Sequence, residues 1–236
     1  MFPRQTEGLA GRLVDAMVRR SVRARFRNLY VSGMGPWLGN PKPGGGPPWI
    51  WAMNHNGWFD GYVAYLLATR IGVPIRLWVE EFDAFPLFAK AGAMRFPKGD
   101  AQARAATTRQ TVKLFKEGWS LALFPEGVLH PGPGLLPFGR ALGWMSEKTG
   151  APIVPIAVVY AFGMHERPEA FLKIADPLPP GQSSAEACRP ILSDLLETVR
   201  ADSRHAEPDR CGYEVLFPGT SDVNERWDMR KLRGTR

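Results

Sequence analysis

The feature that most limits the fold is an alternation of short apolar runs with longer amphipathic stretches, from residue 49 to about residue 205. Short apolar runs bounded by turn residues are typical of buried strands. Apolar positions spaced three and four apart are typical of helices that cover a sheet. The alternation therefore predicts an α/β fold, with a mostly parallel mixed sheet flanked by helices.

The pattern predicts elements in a definite order. The predicted strands are 49–53, 75–79, 94–96, 120–124, 153–159 and 171–175. The predicted helices are 59–71, 84–91, 101–117, 140–149 and 185–203. Pro152 and Pro155 suggest that strand 153–159 is an edge strand or irregular, because proline cannot donate to a ladder. Residues 206–236 fit neither pattern and are predicted to form an irregular, basic tail.

The spacing of apolar residues and arginines over residues 8–30 predicts a basic amphipathic helix. The positions on its apolar face are Leu13, Val14, Met17, Val18, Val22, Phe26 and Leu29, and the arginines opposite are Arg12, Arg19, Arg20, Arg23 and Arg27. Such helices lie in the headgroup layer of anionic membranes. The alternative is a helix packed on its own domain with a solvated charged face. We favour a membrane-associating segment over residues 1–40, joined by a Pro/Gly-rich loop at 41–48 to the main domain.

The composition limits which cellular compartments and which binding partners fit this chain. No run of about 18 apolar residues and no apolar signal core is present, so a cytoplasmic protein is expected, peripheral on the inner face of the cell membrane. Cys188 and Cys211 form neither a disulfide framework nor a zinc motif, and we expect free thiols and no metal. The net charge of +7 fits an anionic surface, and no nucleic-acid motif is recognisable.

The first motif, Asn54 to Asp60, follows a predicted strand and opens a helix. A turn there folds Asp60 back onto the His55 imidazole, where the carboxylate fixes the tautomer and leaves the other ring nitrogen basic. Such an imidazole is a general base for a hydroxyl. The alternative is that Asp60 only caps the helix.

The second motif is the run Phe124, Pro125, Glu126 and Gly127, which ends a predicted buried strand. Ligands of open α/β sheets bind beyond the carboxyl ends of the strands, so Glu126 is a candidate to hold a hydroxyl or a cation there. Gly127 permits a close backbone approach. A plain strand-end turn is the alternative.

Two cations flank the end of another predicted strand. Arg95 and Lys98 follow Gly92 and suit an anionic ligand, although surface cations are more often only solvated.

Together with the apolar segment 151–157, these motifs resemble, in order and spacing, the phospholipid/glycerol acyltransferase superfamily of the lysophosphatidic acid acyltransferase type. The resemblance runs from about residue 49 to residue 179. That family carries His-x4-Asp, then Gly-x-x-Phe-x-x-Arg, then Phe-Pro-Glu-Gly-Thr-Arg, then Val-Pro-Ile-Val-Pro. His55 and Asp60 match the first motif in full. Residues 124–127 match the start of the third.

The resemblance implies an acyltransferase domain over residues 49–205 and a sequential mechanism. His55, oriented by Asp60, takes a proton from a lipid hydroxyl, and the oxygen attacks the thioester of acyl-CoA or an acyl-carrier protein. No cofactor, metal or covalent nucleophile is needed. The substrate-binding residues that the resemblance implies are Asn54, Arg95, Lys98, Phe124, Pro125, Glu126, Gly127 and Arg140.

The sequence departs from the family where the acceptor phosphate is gripped. Val128 and Leu129 replace the family's Thr-Arg, and leucine cannot make a charge-assisted hydrogen bond. Lys98 replaces an arginine, and a lysine is a point charge rather than a planar fork. We therefore expect an acceptor other than lysophosphatidic acid, namely a lysophospholipid with a larger headgroup, a glycolipid or another lipid alcohol. The competing hypothesis is that Arg95, Lys98 and Arg140 rebuild the phosphate site.

Two other classes of function stay open from the residues alone. A thioesterase or lysolipid hydrolase would use the same His–Asp base on water. A non-catalytic lipid-binding protein would use the basic helix, but it has no need of a positioned base.

Overall fold

The computed structural model of the protein describes residues 8–34, 48–178, 180–205 and 208–227. The helices are α1 (Gly8–Arg25), α2 (Asp60–Ile71), α3 (Ala101–Lys116), α4 (Ala141–Thr149), α5 (Ala185–Asp202) and α6 (Val223–Arg226). The strands are β1 (Asn28–Ser32), β2 (Ile50–Met53), β3 (Ile75–Val79), β4 (Ala93–Arg95), β5 (Ser120–Leu123), β6 (Ile153–Ala161), β7 (Glu169–Ile174) and β8 (Glu214–Pro218). Short 3₁₀ segments lie at Phe82–Ala84, Pro86–Ala91, Pro180–Gln182 and Pro208–Cys211.

One eight-stranded sheet runs through the described residues in the order β4-β3-β5-β2-β6-β7-β1-β8. The strands from β4 to β6 in that order are all parallel to one another. β7 turns back antiparallel to β6, β1 is parallel to β7, and β8 is antiparallel to β1. The carboxyl ends of the five parallel strands therefore share one edge, where ligands of open α/β sheets bind.

Helices cover both faces of the sheet, which explains why its strands read as continuous apolar runs. In β2, Trp51 and Met53 point into the core beneath α1 and α2. Ile50 and Ala52 alternate with them and pack beneath α3, α4 and α5. The predicted α/β fold with flanking helices and an N-terminal helix is thus confirmed.

Most element bounds agree with the sequence pattern to within two residues, but the N-terminal helix does not. It ends at Arg25 rather than residue 30, and Asn28–Ser32 form β1. Leu29 pairs with Ala170 of β7 on one side and Phe217 of β8 on the other. Two neighbouring strands supply the backbone hydrogen bonds of this segment, and this pairing outweighs the helical spacing of its apolar residues.

The apolar residues of α1 lie on two separate sides of the helix, not on the single face that the sequence predicts. Val14, Val18 and Val22 are buried against the domain, which agrees with the alternative hypothesis of a helix packed on its own domain. Leu13 and Met17 lie on a different side and are exposed, by 60% and 39%. The helix therefore packs on its own domain and also presents apolar side chains outward.

The C-terminal region is not an irregular tail over its described part. Glu214–Pro218 form β8 at the edge of the sheet, and Val223–Arg226 form α6. Arg27 ties these pieces together, because its guanidinium donates to Glu169 and to Glu225 at 2.7 Å each. These contacts join residues far apart in the chain, so local sequence patterns do not indicate them.

The predicted domain boundaries stay predictions. Residues 35–47, which include most of the predicted 41–48 loop, lie outside the described residues.

The prolines of β6 do not mark a sheet edge. β6 lies between β2 and β7, so the expectation of an edge strand is wrong. The Pro155 carbonyl accepts from Ala175 N at 3.0 Å, and a residue's N and C=O point to the same side of a strand. The Pro155 nitrogen, which carries no hydrogen, therefore also points toward Ala175, just beyond the end of β7. The residues of β6 that pair with β7, Ile156 to Ala161, all keep their backbone N–H donors.

Among the described residues, no helix is both long and apolar enough to cross a bilayer.

The buried position of β1 gives a stability prediction. Leu29→Ala removes a fully buried side chain between two strands, so we expect a loss of about 3 kcal/mol in the free energy of unfolding. Urea denaturation measures this loss. Leu13→Ala, at an exposed position of α1, is the control and should change stability by less than about 0.5 kcal/mol. Equal effects from the two substitutions would contradict the placement of residues 28–32 in the core.

Candidate active site

The first motif lies in the loop between β2 and α2, at the carboxyl edge of the sheet. His55 Nδ1 lies 2.8 Å from Asp60 Oδ2, so the contact predicted from their spacing is present. Asp60 has no exposed side-chain surface, whereas 25% of the His55 side chain is exposed. Because an ionised carboxylate only accepts hydrogen bonds, Nδ1 carries the proton and Nε2 is left as the basic nitrogen.

Asp60 is held by more than the imidazole. Its Oδ2 also accepts from Gly57 N at 3.0 Å. Its Oδ1 accepts from the Tyr160 hydroxyl, which reaches across from β6 to a distance of 2.6 Å. A buried carboxylate needs hydrogen-bond donors to replace the water it has lost, and three donors meet this one.

The loop that follows β5 closes the site from the other side. Glu126 Oε1 accepts from His55 N at 2.9 Å. Its Oε2 accepts from Leu136 N at 2.7 Å and lies 2.5 Å from His130 Nε2. The Glu126 side chain has no exposed surface, so protein groups rather than solvent satisfy its carboxylate. This geometry favours the bracing of the His55 loop over direct contact with a substrate.

Two asparagines of the first motif add to this bracing. The buried Asn54 amide pairs with both backbone groups of Val158, at 2.7 and 2.9 Å, which fastens the end of β2 to β6. Asn56 Nδ2 donates to the His130 carbonyl at 3.0 Å, and His130 N donates to the His55 carbonyl at 3.1 Å. The two loops are therefore connected through their backbones as well as through Glu126.

The remaining residues of the second motif shape the wall of the site. The Phe124 ring stacks on the His55 imidazole, with centroids 4.3 Å apart and planes 19° from parallel. Pro125 is buried, and its carbonyl accepts from Gly139 N at 2.7 Å. Gly127 adopts a positive φ of 70°, which a tight turn after β5 requires and which glycine adopts without strain.

The three predicted cations are all exposed, and within the described residues no hydrogen bond or ion pair joins them to His55, Asp60 or Glu126. Arg95 ends β4, and β3 and β5 lie between β4 and β2. Its guanidinium lies 3.0 Å from Asp83 and 3.7 Å from Asp100. The hydrogen bond that Arg95 donates to the Asp83 carboxylate raises the pKa of Arg95 above its ordinary value. Lys98 lies in the turn after β4, and Arg140 immediately precedes α4.

Other chemistry is limited within the described ranges. No group of three or more histidine, cysteine or acidic side chains is placed there to hold a metal ion. Both cysteines are free, and burial raises the pKa of the Cys188 thiol to about 12. A thiol with such a pKa is almost wholly protonated near neutral pH and is therefore a poor nucleophile.

Sequence patterns do not indicate the roles that Tyr160, Asn56, Gly57 and His130 have in the structure. Tyr160 lies 100 positions from Asp60 and meets it only because β6 neighbours β2. The pairing of β2 with β6 was not predicted. The position of His130, four residues after Glu126, was the only local signal for its role.

A partly exposed imidazole held by a buried carboxylate at the edge of a parallel sheet can act chemically as a general base. Among known proteins, a sequence model of the Acyltransferase family matches residues 38–159, more than half of the chain. The protein therefore belongs to the Acyltransferase family.

Two relatives illustrate the match. The chloroplastic 1-acyl-sn-glycerol-3-phosphate acyltransferase BAT2 of Brassica napus is 24% identical over 126 residues. That match covers 50% of this chain but only 34% of the relative. The crystal structure of PlsC from Thermotoga maritima, a 1-acyl-sn-glycerophosphate (LPA) acyltransferase, is similar with a TM-score of 0.56 and 21% identity. The structural match covers 81% of this chain and 79% of the PlsC chain. At 21% identity it shows similarity of the fold alone.

Proposed function

We propose that the protein is an O-acyltransferase that moves a fatty acyl group from an acyl thioester to the hydroxyl of a lipid acceptor. The observation that carries the proposal is the His55–Asp60 hydrogen bond of 2.8 Å, which leaves His55 Nε2 free at the carboxyl edge of the sheet. The family match supports the reaction class. In this proposal acyl-CoA or an acyl-carrier protein serves as donor.

The geometry supports a direct transfer. His55 Nε2 takes the proton of the acceptor hydroxyl as its oxygen attacks the thioester carbonyl carbon. Asp60 stabilises the imidazolium that forms, because its buried carboxylate already meets Nδ1–H. The tetrahedral intermediate then expels the thiolate, which takes the proton from His55 Nε2 and leaves as a free thiol. No covalent acyl-enzyme is formed, in keeping with the protonated Cys188.

His55→Ala tests the reaction. It removes the base and should lower acyl transfer at least about 100-fold. The release of free thiol, measured with and without acceptor, reports the reaction and separates transfer from hydrolysis. His205→Ala, at an exposed histidine, is the matched control and should behave as wild type. Turnover by a folded His55→Ala protein would contradict the mechanism.

We further propose that the acceptor carries no free phosphomonoester. Val128 and Leu129 are exposed in the same loop as His130, and neither side chain can make a charge-assisted hydrogen bond to a phosphate. Arg95 already has two carboxylate neighbours, Asp83 and Asp100. A lysophospholipid with a larger headgroup, a glycolipid or another lipid alcohol suits such a surface. Lys98 and Arg140 are the exposed cations on which the competing phosphate site would depend.

An acceptor panel distinguishes the two arrangements. Purified protein is given acyl-CoA with 1-acylglycerol-3-phosphate, lysophosphatidylglycerol, monoacylglycerol and a glycolipid, and mass spectrometry identifies the products. We expect acylation of acceptors without a phosphomonoester to dominate. Strong preference for 1-acylglycerol-3-phosphate would overturn this proposal in favour of the competing hypothesis, in which Arg95, Lys98 and Arg140 rebuild the phosphate site.

We also propose that α1 binds the surface of an anionic membrane, the inner face of the cell membrane being the expected location. Its outward apolar side chains, Leu9, Leu13 and Met17, are spaced four apart and so line one side of the helix. Exposed Arg12 and Arg20 flank them. The 3₁₀ segment Pro86–Ala91 packs beside α1 and adds the exposed Leu87. An apolar stripe bordered by arginines is the pattern of an interfacial helix.

Vesicle flotation tests this surface. Leu13→Glu with Met17→Glu should lower binding of the full chain to phosphatidylglycerol vesicles about tenfold or more, because burial of two apolar side chains is lost. Trp144→Glu with Ile191→Glu is the matched control, since these exposed residues lie on the helices that cover the opposite face of the sheet. Wild-type binding by the α1 variant would exclude this helix as the contact.

A further inference from the structure

Tyr160 completes the set of hydrogen bonds around the Asp60 carboxylate. Its hydroxyl donates to Oδ1 at 2.6 Å, whereas His55 Nδ1 and Gly57 N both meet Oδ2. Each carboxylate oxygen therefore has its own donors, and together they fix the rotation of the carboxylate plane. Without the hydroxyl, Oδ1 would lose its hydrogen bond inside a side chain that has no exposed surface.

The Tyr160 ring is itself held rigidly. Tyr160 lies near the end of β6 and pairs with Ala170 of β7. Its ring packs so closely on Gly57 that a Cβ at position 57 would overlap Tyr160 Cε2. The Phe26 ring lies on it with a centroid distance of 5.6 Å. A donor fixed in this way can impose its own position on the carboxylate.

The hydroxyl is also a donor at every working pH. Burial, followed by the charge of Asp60 and their hydrogen bond, raises the pKa of Tyr160 well above its ordinary value. The phenol therefore stays protonated, and its O–H has the Asp60 carboxylate as an acceptor.

We propose that Tyr160 is a positioning residue for the His55–Asp60 pair, which holds the carboxylate in the orientation that meets His55 Nδ1 and moderates the negative charge that the imidazole experiences. The inference rests on the proposed role of His55 as a general base. Tyr160 acts through Asp60 and needs no contact with the substrate.

Removal of the hydroxyl has two consequences of predictable sign. Asp60 loses a donor that withdraws part of its negative charge, so it attracts a protonated imidazole more strongly. The protonation midpoint of His55 then moves to higher pH. Asp60 also loses its fixed orientation, so the imidazole is less well aligned for proton transfer and turnover falls. A residue with a purely structural role would lower stability without moving that midpoint.

The experiment is a ¹⁵N NMR titration of histidine-labelled protein, paired with acyl-transfer kinetics. Tyr160→Phe is the test variant. Tyr213→Phe is the matched control, because it also removes a tyrosine–aspartate hydrogen bond, from Tyr213 to Asp202 Oδ2 at 3.1 Å. His55→Ala assigns the His55 signal. Glu126 and His130, the other titratable groups facing His55 across the site, are unchanged in the test and control variants.

For Tyr160→Phe we expect a higher His55 midpoint, the acidic limb of the kcat/KM profile shifted with it, and kcat lowered about 10- to 100-fold with little change in KM. Tyr213→Phe should leave all three as in wild type. If Tyr160→Phe does not fold, 3-fluorotyrosine at position 160, a stronger donor, should move the midpoint to lower pH.

An unmoved His55 midpoint would overturn the proposal, as would an equal shift in the Tyr213→Phe control. Failure of the proposed function has a different signature, which is full acyl transfer by His55→Ala. In that case the NMR result still reports whether Tyr160 acts on the pair.

Discussion

The Asp60 carboxylate is the point on which the arrangement of this site depends. A charged group with no exposed surface is costly unless donors replace the water it has lost. Three donors do so here, from His55, Gly57 and Tyr160. They come from the loop after β2 and from β6, so the cost of burying the charge is offset only when these two parts of the chain are correctly placed. The same bonds leave one nitrogen of the imidazole basic.

A second buried carboxylate organises the other side of the site in the same way. Glu126 joins the backbone at His55 to the His130 side chain and to the backbone at Leu136. Its side chain is enclosed, which makes it a brace of the His55 loop. The protein thus uses one carboxylate to orient the imidazole ring and another to fix the backbone that carries it. Because both are satisfied by protein donors, the site is formed before any substrate binds.

The sequence predicts the contacts that depend on local spacing, but not the contacts that depend on which strands are neighbours in the sheet. Five positions separate His55 from Asp60, across one strand-to-helix turn, so their contact followed from local geometry. The burial of Glu126 did not, since its partners come from two loops whose paths have no periodic signal. The apolar spacing of α1 extends to Leu29, so the sequence predicts helix for residues 28–30, and only the pairing of β1 with β7 and β8 reveals a strand. Tyr160 was missed for the same reason.

Substitution of Asp60 by asparagine tests the central claim most directly. Asn has nearly the same shape, but its amide can donate to Nδ1 and so favours the tautomer in which Nε2 carries the proton. Such a ring cannot accept a proton from a hydroxyl. We predict that kcat/KM of Asp60→Asn for acyl transfer falls about 10⁴-fold, as expected when a general base is held in the wrong tautomer. Activity within tenfold of wild type, in a folded variant, would contradict the account.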